Sequence, residues 1–145
     1  MIYQTYPSVP HSFVYELNKD FSFAAAHYIP REKAGVCSQL HGHTYVVNLT
    51  IAGDELDDCG FLVNFKTIKK LVHDRFDHTV LNEDEWFDHH ESARLPSTEI
   101  VARMIGELVQ DYLNTLPNGA RCLQVFLRET PSSYVVYKPK QGDSR

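Results

Sequence analysis

The chain has 145 residues, of which 43% are hydrophobic and 23% charged, and its formal net charge is −5. This is the composition of an ordinary globular protein, and the acidic balance argues against non-specific binding to nucleic acid or to a membrane surface. No apolar run approaches the roughly 18 residues of a membrane span, and we expect no signal peptide at the start.

The length predicts one domain over residues 1–145, with an irregular arm at 1–12 and a tail at 138–145. The cysteine count is odd, and no secretory signal accompanies it. Free thiols in a reducing cytoplasm are therefore the preferred interpretation over a disulfide framework. The three cysteines are Cys37, Cys59 and Cys122.

The first half of the chain alternates strand and loop patterns before one helix. Residues 13–26 alternate apolar and polar side chains and predict a strand. A loop with Pro30 and Gly35 follows over 28–40, and β-branched residues then predict a second strand over 44–52. Asn64 occupies a helix N-cap position, ahead of apolar residues at helical spacing that continue to about Arg75.

The second half begins with an acidic, histidine-bearing segment at 83–96, which we expect to be a solvated loop. Ser97 or Thr98 can cap a second helix, which Leu116-Pro117-Asn118-Gly119 ends. Residues 122–129 and 133–137 predict two further strands. The order strand, strand, helix, helix, strand, strand indicates an α+β domain, in which a four-stranded antiparallel sheet carries both helices on one face.

Three histidines in the first third of the chain suggest a metal site. His41 and His43 flank one glycine at the start of the second strand, and residues two apart on a strand point to the same face. His27 ends the first strand. Three histidines are a common protein ligand set of catalytic zinc, with the fourth position left to water or substrate. The alternative is that they are ordinary polar residues at strand ends.

Cys37, four residues before His41, has three interpretations that the residues alone leave open. It could be a reactive thiolate beside the metal, where a nearby cation lowers the pKa of a thiol. It could be a fourth zinc ligand, which would close the site and make it structural. It could also be a small buried side chain.

Two further groups could carry chemistry or could be structural. Asp77 and His78 follow the first helix and could transfer protons near neutral pH, or they could cap the helix end. Glu129, at the end of an apolar strand, could accept two hydrogen bonds from a guanidine-like edge, or it could be an exposed charge. His89 and His90 lie in the acidic loop without ligand spacing.

Several spaced motifs together resemble the 6-pyruvoyltetrahydropterin synthase family. The resemblance covers residues 13–137, nearly the whole chain. Within this family, the four-residue gap from Cys37 to His41 resembles the spacing of the carboxy-forming members, whereas the pyruvoyl-forming members have a longer gap. The motifs that carry it are Phe23-Ala24-Ala25-Ala26-His27, Cys37-x-x-x-His41-Gly42-His43, Phe76-Asp77-His78-x-x-Leu81-Asn82, Pro96-Ser97-Thr98-Glu99 and Arg128-Glu129-Thr130.

The resemblance implies a fold, an assembly and a reaction. The fold is the tunnelling fold, assembled as a homohexamer of two trimers with active sites between subunits. The reaction is a zinc-dependent lyase reaction in 7-deazaguanine (queuosine) biosynthesis. It converts 7,8-dihydroneopterin triphosphate to 6-carboxy-5,6,7,8-tetrahydropterin, acetaldehyde and triphosphate.

The resemblance also implies a role for each matching residue. His27, His41 and His43 would ligate zinc, and Cys37 would be the catalytic base. Asp77 and His78 would relay protons, and the shared active sites imply that they act with Cys37 of a neighbouring chain. Glu129 would anchor the pterin edge, with Thr98 and Glu99 lining the same pocket. The triphosphate-binding residues stay open, with Arg31, Lys33 and Lys66 as candidates that are equally ordinary surface charges.

Two alternatives to the carboxy-forming reaction stay open. A pyruvoyl-forming synthase would eliminate triphosphate without cleaving the side chain. A zinc-binding or pterin-binding module without turnover would have four protein ligands and no exchangeable water.

Overall fold

A long β-hairpin forms the centre of the sheet in this computed structural model, which describes residues 5–141. β1 (Tyr15–His27) and β2 (His41–Gly53) pair antiparallel over their whole length, with Tyr15 opposite Gly53 and His27 opposite His41. Both strands extend further toward the loop between them than the sequence pattern predicted. The histidines are therefore part of the paired ladder, which fixes their backbones relative to one another.

Two more long strands continue the sheet on the β2 side. β4 (Arg121–Thr130) pairs antiparallel with β2, and β5 (Ser133–Tyr137) pairs antiparallel with β4. A fifth strand, β3 (Thr79–Val80), lies parallel to the outer edge of β1 and gives the order β3-β1-β2-β4-β5. The sheet therefore has five strands and not the predicted four. The sequence did not reveal β3 because two residues are too few to show an alternating pattern.

Two helices cover one face of the sheet, as the sequence predicted. The helices are α1 (Phe65–Phe76) and α2 (Thr98–Leu113). The Asn64 side chain accepts hydrogen bonds from two backbone N–H groups of α1, and the Ser97 hydroxyl accepts one from Ile100. Apolar side chains of both helices pack with alternate residues of the strands in one buried core.

The segment between the helices is packed against the protein, so the expectation of a solvated loop over 83–96 is wrong for its apolar residues. Phe87 and Leu95 are buried. The Asp84 carboxylate accepts two hydrogen bonds from the Arg75 guanidinium, at 2.8 and 2.9 Å. The Trp86 ring lies beneath two more guanidinium groups. The charged side chains of this segment thus pair with neighbouring residues, and its aromatic residues pack against the rest of the protein.

The opposite face of the sheet carries no helix within residues 5–141 and combines polar pairs with a small apolar cluster of Phe13, Ala52 and Leu123. The Asn48 side-chain amide donates to the Asp20 carboxylate at 2.8 Å, and the Thr50 hydroxyl donates to the side-chain Oδ1 atom of Asn18 at 2.8 Å. The described part of the N-terminal arm, residues 5–12, crosses this face without regular structure, and the Gln124 amide donates to its Pro7 carbonyl. The remaining arm residues 1–4 and the tail residues 142–145 lie outside the described part.

Candidate metal centre and catalytic groups

Three imidazole rings meet at one end of the sheet. His27 and His41 are directly opposite one another, and His43 is opposite Ala25. All three side chains lie on the face that the helices cover, and the ring centroids are 4.5 to 5.2 Å apart. The structure therefore brings His27 to the His41–His43 pair, which the sequence alone could not show.

Backbone carbonyls fix the proton on two of these rings. His27 Nδ1 lies 2.6 Å from the Pro96 carbonyl, and His41 Nδ1 lies 2.7 Å from the Gln39 carbonyl. A carbonyl only accepts hydrogen bonds, so each Nδ1 carries the proton and each Nε2 presents a lone pair. This is the usual orientation of metal-ligating histidines, whose other nitrogen donates to an outer partner.

Glu129 completes a group of four potential donors. Its Oε1 atom lies 3.3 Å from His27 Nε2 and 3.2 Å from His43 Nε2. One ligand atom from each of His27, His41, His43 and Glu129 lies within 4.8 Å of the others. In this arrangement the carboxylate can serve as a fourth metal donor or, when directed away, as an acceptor for a substrate.

The nitrogen atoms at the centre of the group fit a metal ion. His27 Nε2 and His43 Nε2 are buried, and the nearby Glu129 Oε1 forms no hydrogen bond with either of them. Burial is the largest cause that lowers the pKa of both rings, so both favour the neutral form that a metal requires. Two buried imidazole nitrogens that face a carboxylate without a hydrogen bond are costly unless a cation lies between these groups.

The lowered pKa values predict how the stability of the metal-free protein depends on pH. Because the folded protein favours neutral His27 and His43, the unfolded chain binds more protons below the ordinary histidine pKa of 6.5. Stability should therefore fall as the pH is lowered from 6.5 toward the folded-state pKa values. Urea denaturation of chelator-treated protein from about pH 8 to about pH 5 measures this slope. A His27→Gln/His43→Gln variant should show a flatter dependence, and an equal slope in both proteins would contradict the assignment.

Cys37 lies outside the group of four. It is exposed, in the 3₁₀ segment Glu32–Ser38 between β1 and β2, and its backbone carbonyl accepts a hydrogen bond from Ile29. Among residues 5–141, the group that could hold a metal at this end of the sheet does not include Cys37. The single-chain geometry thus favours an accessible thiol outside the donor group over a fourth ligand.

Asp77 and His78 form a hydrogen-bonded pair, which their adjacency in sequence could not establish. His78 Nδ1 lies 2.7 Å from Asp77 Oδ2, and the other carboxylate oxygen accepts the Ala24 backbone N–H at 2.9 Å. The Ala24 N–H and then His78 lower the pKa of Asp77, so this carboxylate stays ionised. His78 has a φ of 60°, a conformation that costs a non-glycine residue free energy.

The His78 side chain is 83% exposed and is not part of the histidine group. It borders a shallow surface at the edge of the β1–β2 hairpin together with Ala24, Gly42, His43 and Thr44. Within residues 5–141, no hydrogen bond or ion pair joins the Asp77–His78 pair to the histidine group.

The start of α2 approaches the site through Pro96. The Pro96 carbonyl holds His27, and Thr98 and Glu99 follow it in the first turn of the helix. Thr98 is buried and Glu99 is exposed. Sequence reasoning missed Pro96 and Gln39, because a backbone carbonyl that accepts a hydrogen bond leaves no side-chain signal.

The three candidate triphosphate-binding residues differ in whether their side chains are engaged in hydrogen bonds. Arg31 donates to the carbonyls of Pro30 and His89, so its guanidinium is engaged with the segment between the helices. His89 itself packs against the Tyr28 ring and is not part of the metal group. Lys33 and Lys66 are exposed, and the structure brings neither of them into a defined anion site.

No helix within residues 5–141 has the length and apolar character needed to cross a membrane.

Comparison with known proteins gives a consistent assignment. Residues 16–140 match the family model described as 6-pyruvoyl tetrahydropterin synthase. The chain is 58% identical over 142 residues to 6-carboxy-5,6,7,8-tetrahydropterin synthase of Bacillus subtilis, covering 98% of this chain and 97% of that protein. It is 32% identical over 95 residues to the protein of the same name from Synechocystis, covering 60% of this chain and 68% of that one.

Solved structures agree with the sequence matches. The Caenorhabditis elegans 6-pyruvoyl tetrahydropterin synthase has a TM-score of 0.67 and 26% identity, covering 87% of this chain and 96% of that chain. The Plasmodium vivax enzyme, at 20% identity, shares the fold with a TM-score of 0.55, covering 88% and 98%. These comparisons confirm the family resemblance that the motifs carry, the predicted tunnelling fold and the prediction that the chain is an enzyme. The chain belongs to the 6-pyruvoyl tetrahydropterin synthase family.

Proposed function

We propose that the protein is a zinc-dependent carbon–carbon lyase of 7-deazaguanine biosynthesis. With one water molecule, it would convert 7,8-dihydroneopterin triphosphate to 6-carboxy-5,6,7,8-tetrahydropterin, acetaldehyde and triphosphate. The observation that carries this proposal is the 58% identity, over nearly the whole of both chains, to the Bacillus subtilis 6-carboxy-5,6,7,8-tetrahydropterin synthase. The four-residue spacing between Cys37 and His41 supports the same choice.

His27, His41 and His43 would hold the zinc ion through their Nε2 atoms. Neutral imidazole suits zinc, and three such ligands leave a position for the substrate. When bound, the metal supplies Lewis-acid polarisation of the substrate's side-chain oxygens. The carbonyls of Pro96 and Gln39 keep two of the rings in the tautomer that this requires.

Glu129 would bind the guanidine-like edge of the pterin. A carboxylate can accept two parallel N–H groups, which fixes the ring in one orientation. Because Glu129 lies beside the three histidines, a ring held by it would place its side chain at the metal position. Thr98 and Glu99, at the start of α2, would line the same pocket.

Cys37 and the Asp77–His78 pair would perform the proton transfers. Cys37 is accessible and, as a thiolate, would remove a proton from a carbon of the substrate side chain. The ionised Asp77 carboxylate accepts from His78 Nδ1–H, which leaves Nε2 free to take and return a proton. The carboxylate also stabilises the imidazolium form that the transfer creates.

We further propose that the active site is assembled from neighbouring subunits of a homohexamer. Among residues 5–141, no hydrogen bond or ion pair joins the exposed His78 to Cys37 or to the histidine group, which suits a site that a second subunit completes. Val36 and Leu40 flank Cys37 and are 79% and 61% exposed, which suits residues that a second subunit covers. Native mass spectrometry tests the hexamer directly, and a monomer would contradict it.

We propose a cytoplasmic setting and no nucleic-acid or membrane partner. The three cysteines are free, as expected in a reducing compartment, and the net charge is −5. The partners would then be the small-molecule pterin triphosphate and further copies of the chain.

Two observations favour alternatives to this reaction. The solved structure with 26% identity is named a 6-pyruvoyl tetrahydropterin synthase, which supports a pyruvoyl-forming activity at the same site. The approach of Glu129 to two imidazoles supports a closed four-donor site, and such a site would be structural.

Product analysis separates the three possibilities. Zinc-loaded protein is incubated with 7,8-dihydroneopterin triphosphate, and the products are identified by mass spectrometry. We expect 6-carboxy-5,6,7,8-tetrahydropterin and acetaldehyde. A pyruvoyl product would move the protein to the first alternative. No turnover by folded, zinc-loaded protein would favour the binding module.

A further inference from the structure

Tyr45 packs against two of the three histidines, His27 and His43. It follows His43 by two residues on β2, and its ring stacks on Phe23 of β1 with centroids 4.9 Å apart. The same ring meets the imidazoles of His27 and His43 edge-on, at 6.0 and 5.5 Å. The aromatic ring is therefore shared between the apolar core and the metal centre.

The hydroxyl of Tyr45 is not explained by packing. The residue has 0% of its surface exposed, and its Oη atom is buried without a hydrogen-bond partner in the described part of the chain. Phenylalanine would make the same stacking and edge contacts. A buried hydroxyl without a partner is destabilising, so its presence at a functional site indicates a partner that another state of the site supplies.

Glu129 is the acceptor that the site offers. β4 pairs antiparallel with β2 so that Arg128 stands opposite Val46, and the next residues along, Glu129 and Tyr45, are therefore cross-strand neighbours on the other face, which the helices cover. Glu129 Oε1 also lies 3.3 and 3.2 Å from the Nε2 atoms of the two imidazoles that the Tyr45 ring meets. A protonated tyrosine can donate to a carboxylate. The Tyr45 ring also meets the imidazoles of His27 and His43, and the proposed function commits the Nε2 lone pairs of both to the metal.

We propose that Tyr45 is a positioning residue whose hydroxyl donates a hydrogen bond to the Glu129 carboxylate once the three histidines hold a metal. This bond holds the carboxylate off the metal and directs it at the guanidine-like edge of the pterin. The inference rests on the proposed function and deepens it. In the structure Glu129 lies among the imidazoles, and the bond would hold it in a second position that faces the substrate.

Tyr45→Phe tests the proposal in the full-length, zinc-loaded protein. We expect the dissociation constant of unsubstituted pterin and the KM of the substrate to rise about 10-fold, the effect of one hydrogen bond to a charged group. The kcat should change less than about 3-fold, because the reacting groups are untouched. Tm of the metal-free protein should stay equal or rise by a few degrees, since an unpaired hydroxyl is removed. Tyr134→Phe, at an exposed position, is the matched control.

Two further measurements decide the outcome. In a Glu129→Gln background, Tyr45→Phe should have little additional effect on pterin affinity, because the partner is already altered. In Co²⁺-substituted protein, Tyr45→Phe should change the visible bands as Glu129 approaches the metal, and Glu129→Gln should cancel that change. Unchanged pterin affinity together with unchanged Co²⁺ bands would overturn the inference. If wild-type protein binds no pterin, the proposed function fails, and the Co²⁺ bands still decide the Tyr45–Glu129 bond.

Discussion

Replacement of Cys37 by alanine is expected to lower kcat by about 10²–10⁴-fold while the protein keeps its metal. The thiol is exposed and lies outside the group of four donors, so its removal takes away a base and not a ligand. The histidines and Glu129 stay in place, because Cys37 contributes to them through no side-chain hydrogen bond within residues 5–141. Metal analysis and steady-state kinetics of the purified variant measure the two quantities.

Cys59→Ala is the matched control for this prediction, because Cys59 is also a free, exposed thiol. It should retain wild-type kcat and metal content. Loss of zinc from the Cys37 variant would show that the thiol is a ligand and would overturn its role as the base. Full turnover without Cys37 would assign proton abstraction to another group.

The same variant also tests the shared active site. A chain with Cys37→Ala and a chain with His78→Ala should each be inactive as a homo-oligomer. If a site takes Cys37 from one subunit and His78 from its neighbour, co-expression of the two chains restores a fraction of the sites. Mixed oligomers with no more activity than the separate variants would place both residues in one chain's site.

Replacement of His43 by alanine is expected to abolish turnover through loss of the metal. His43 Nε2 is buried, forms no hydrogen bond within the described residues and faces Glu129 Oε1 at 3.2 Å, so it is placed to act as a metal ligand. Losing an outer partner of a metal-bound histidine typically costs 10–100-fold in affinity, and losing a ligand should cost more than about 100-fold. Competition for zinc with a chromophoric chelator measures the change.

His90→Ala provides the comparison for His43→Ala, because His90 is exposed and outside the donor group. Its zinc affinity and kcat should match those of the wild type. A His43 variant that binds zinc as tightly as wild type would remove this residue from the ligand set. The set would then have to be completed by Glu129.

The strand pattern was enough to predict that two of the three histidines share a face. This prediction came from the two-residue spacing of His41 and His43 at the start of the second strand, and the structure agrees. The pattern could not predict that His27 stands opposite His41, because register depends on pairing between distant segments. Glu129 joins the group for the same reason, through the pairing of β4 with β2.

The features that could not be predicted from the sequence depend on backbone atoms and on very short paired segments. The Pro96 carbonyl that orients His27 would be present with any residue at that position. β3 has only two residues, too few for a period, and it arises because α1 ends beside the edge of β1. The segment 83–96 looked solvated by its charges, but Asp84 is neutralised by Arg75 and Phe87 enters the core.

The side-chain pairs Asp20–Asn48 and Asn18–Thr50, on the face of the sheet without helices, also affect how the histidines align at the other end of the hairpin. A slip of β1 against β2 by two residues would leave every side chain on its own face, so burial alone would penalise it weakly. Such a slip would separate Asp20 from Asn48 and Asn18 from Thr50, and both hydrogen bonds would be lost. Asp20 is seven residues from His27, about 23 Å along a strand. The two hydrogen bonds therefore help to fix the register of β1 against β2, and this register places His27 opposite His41.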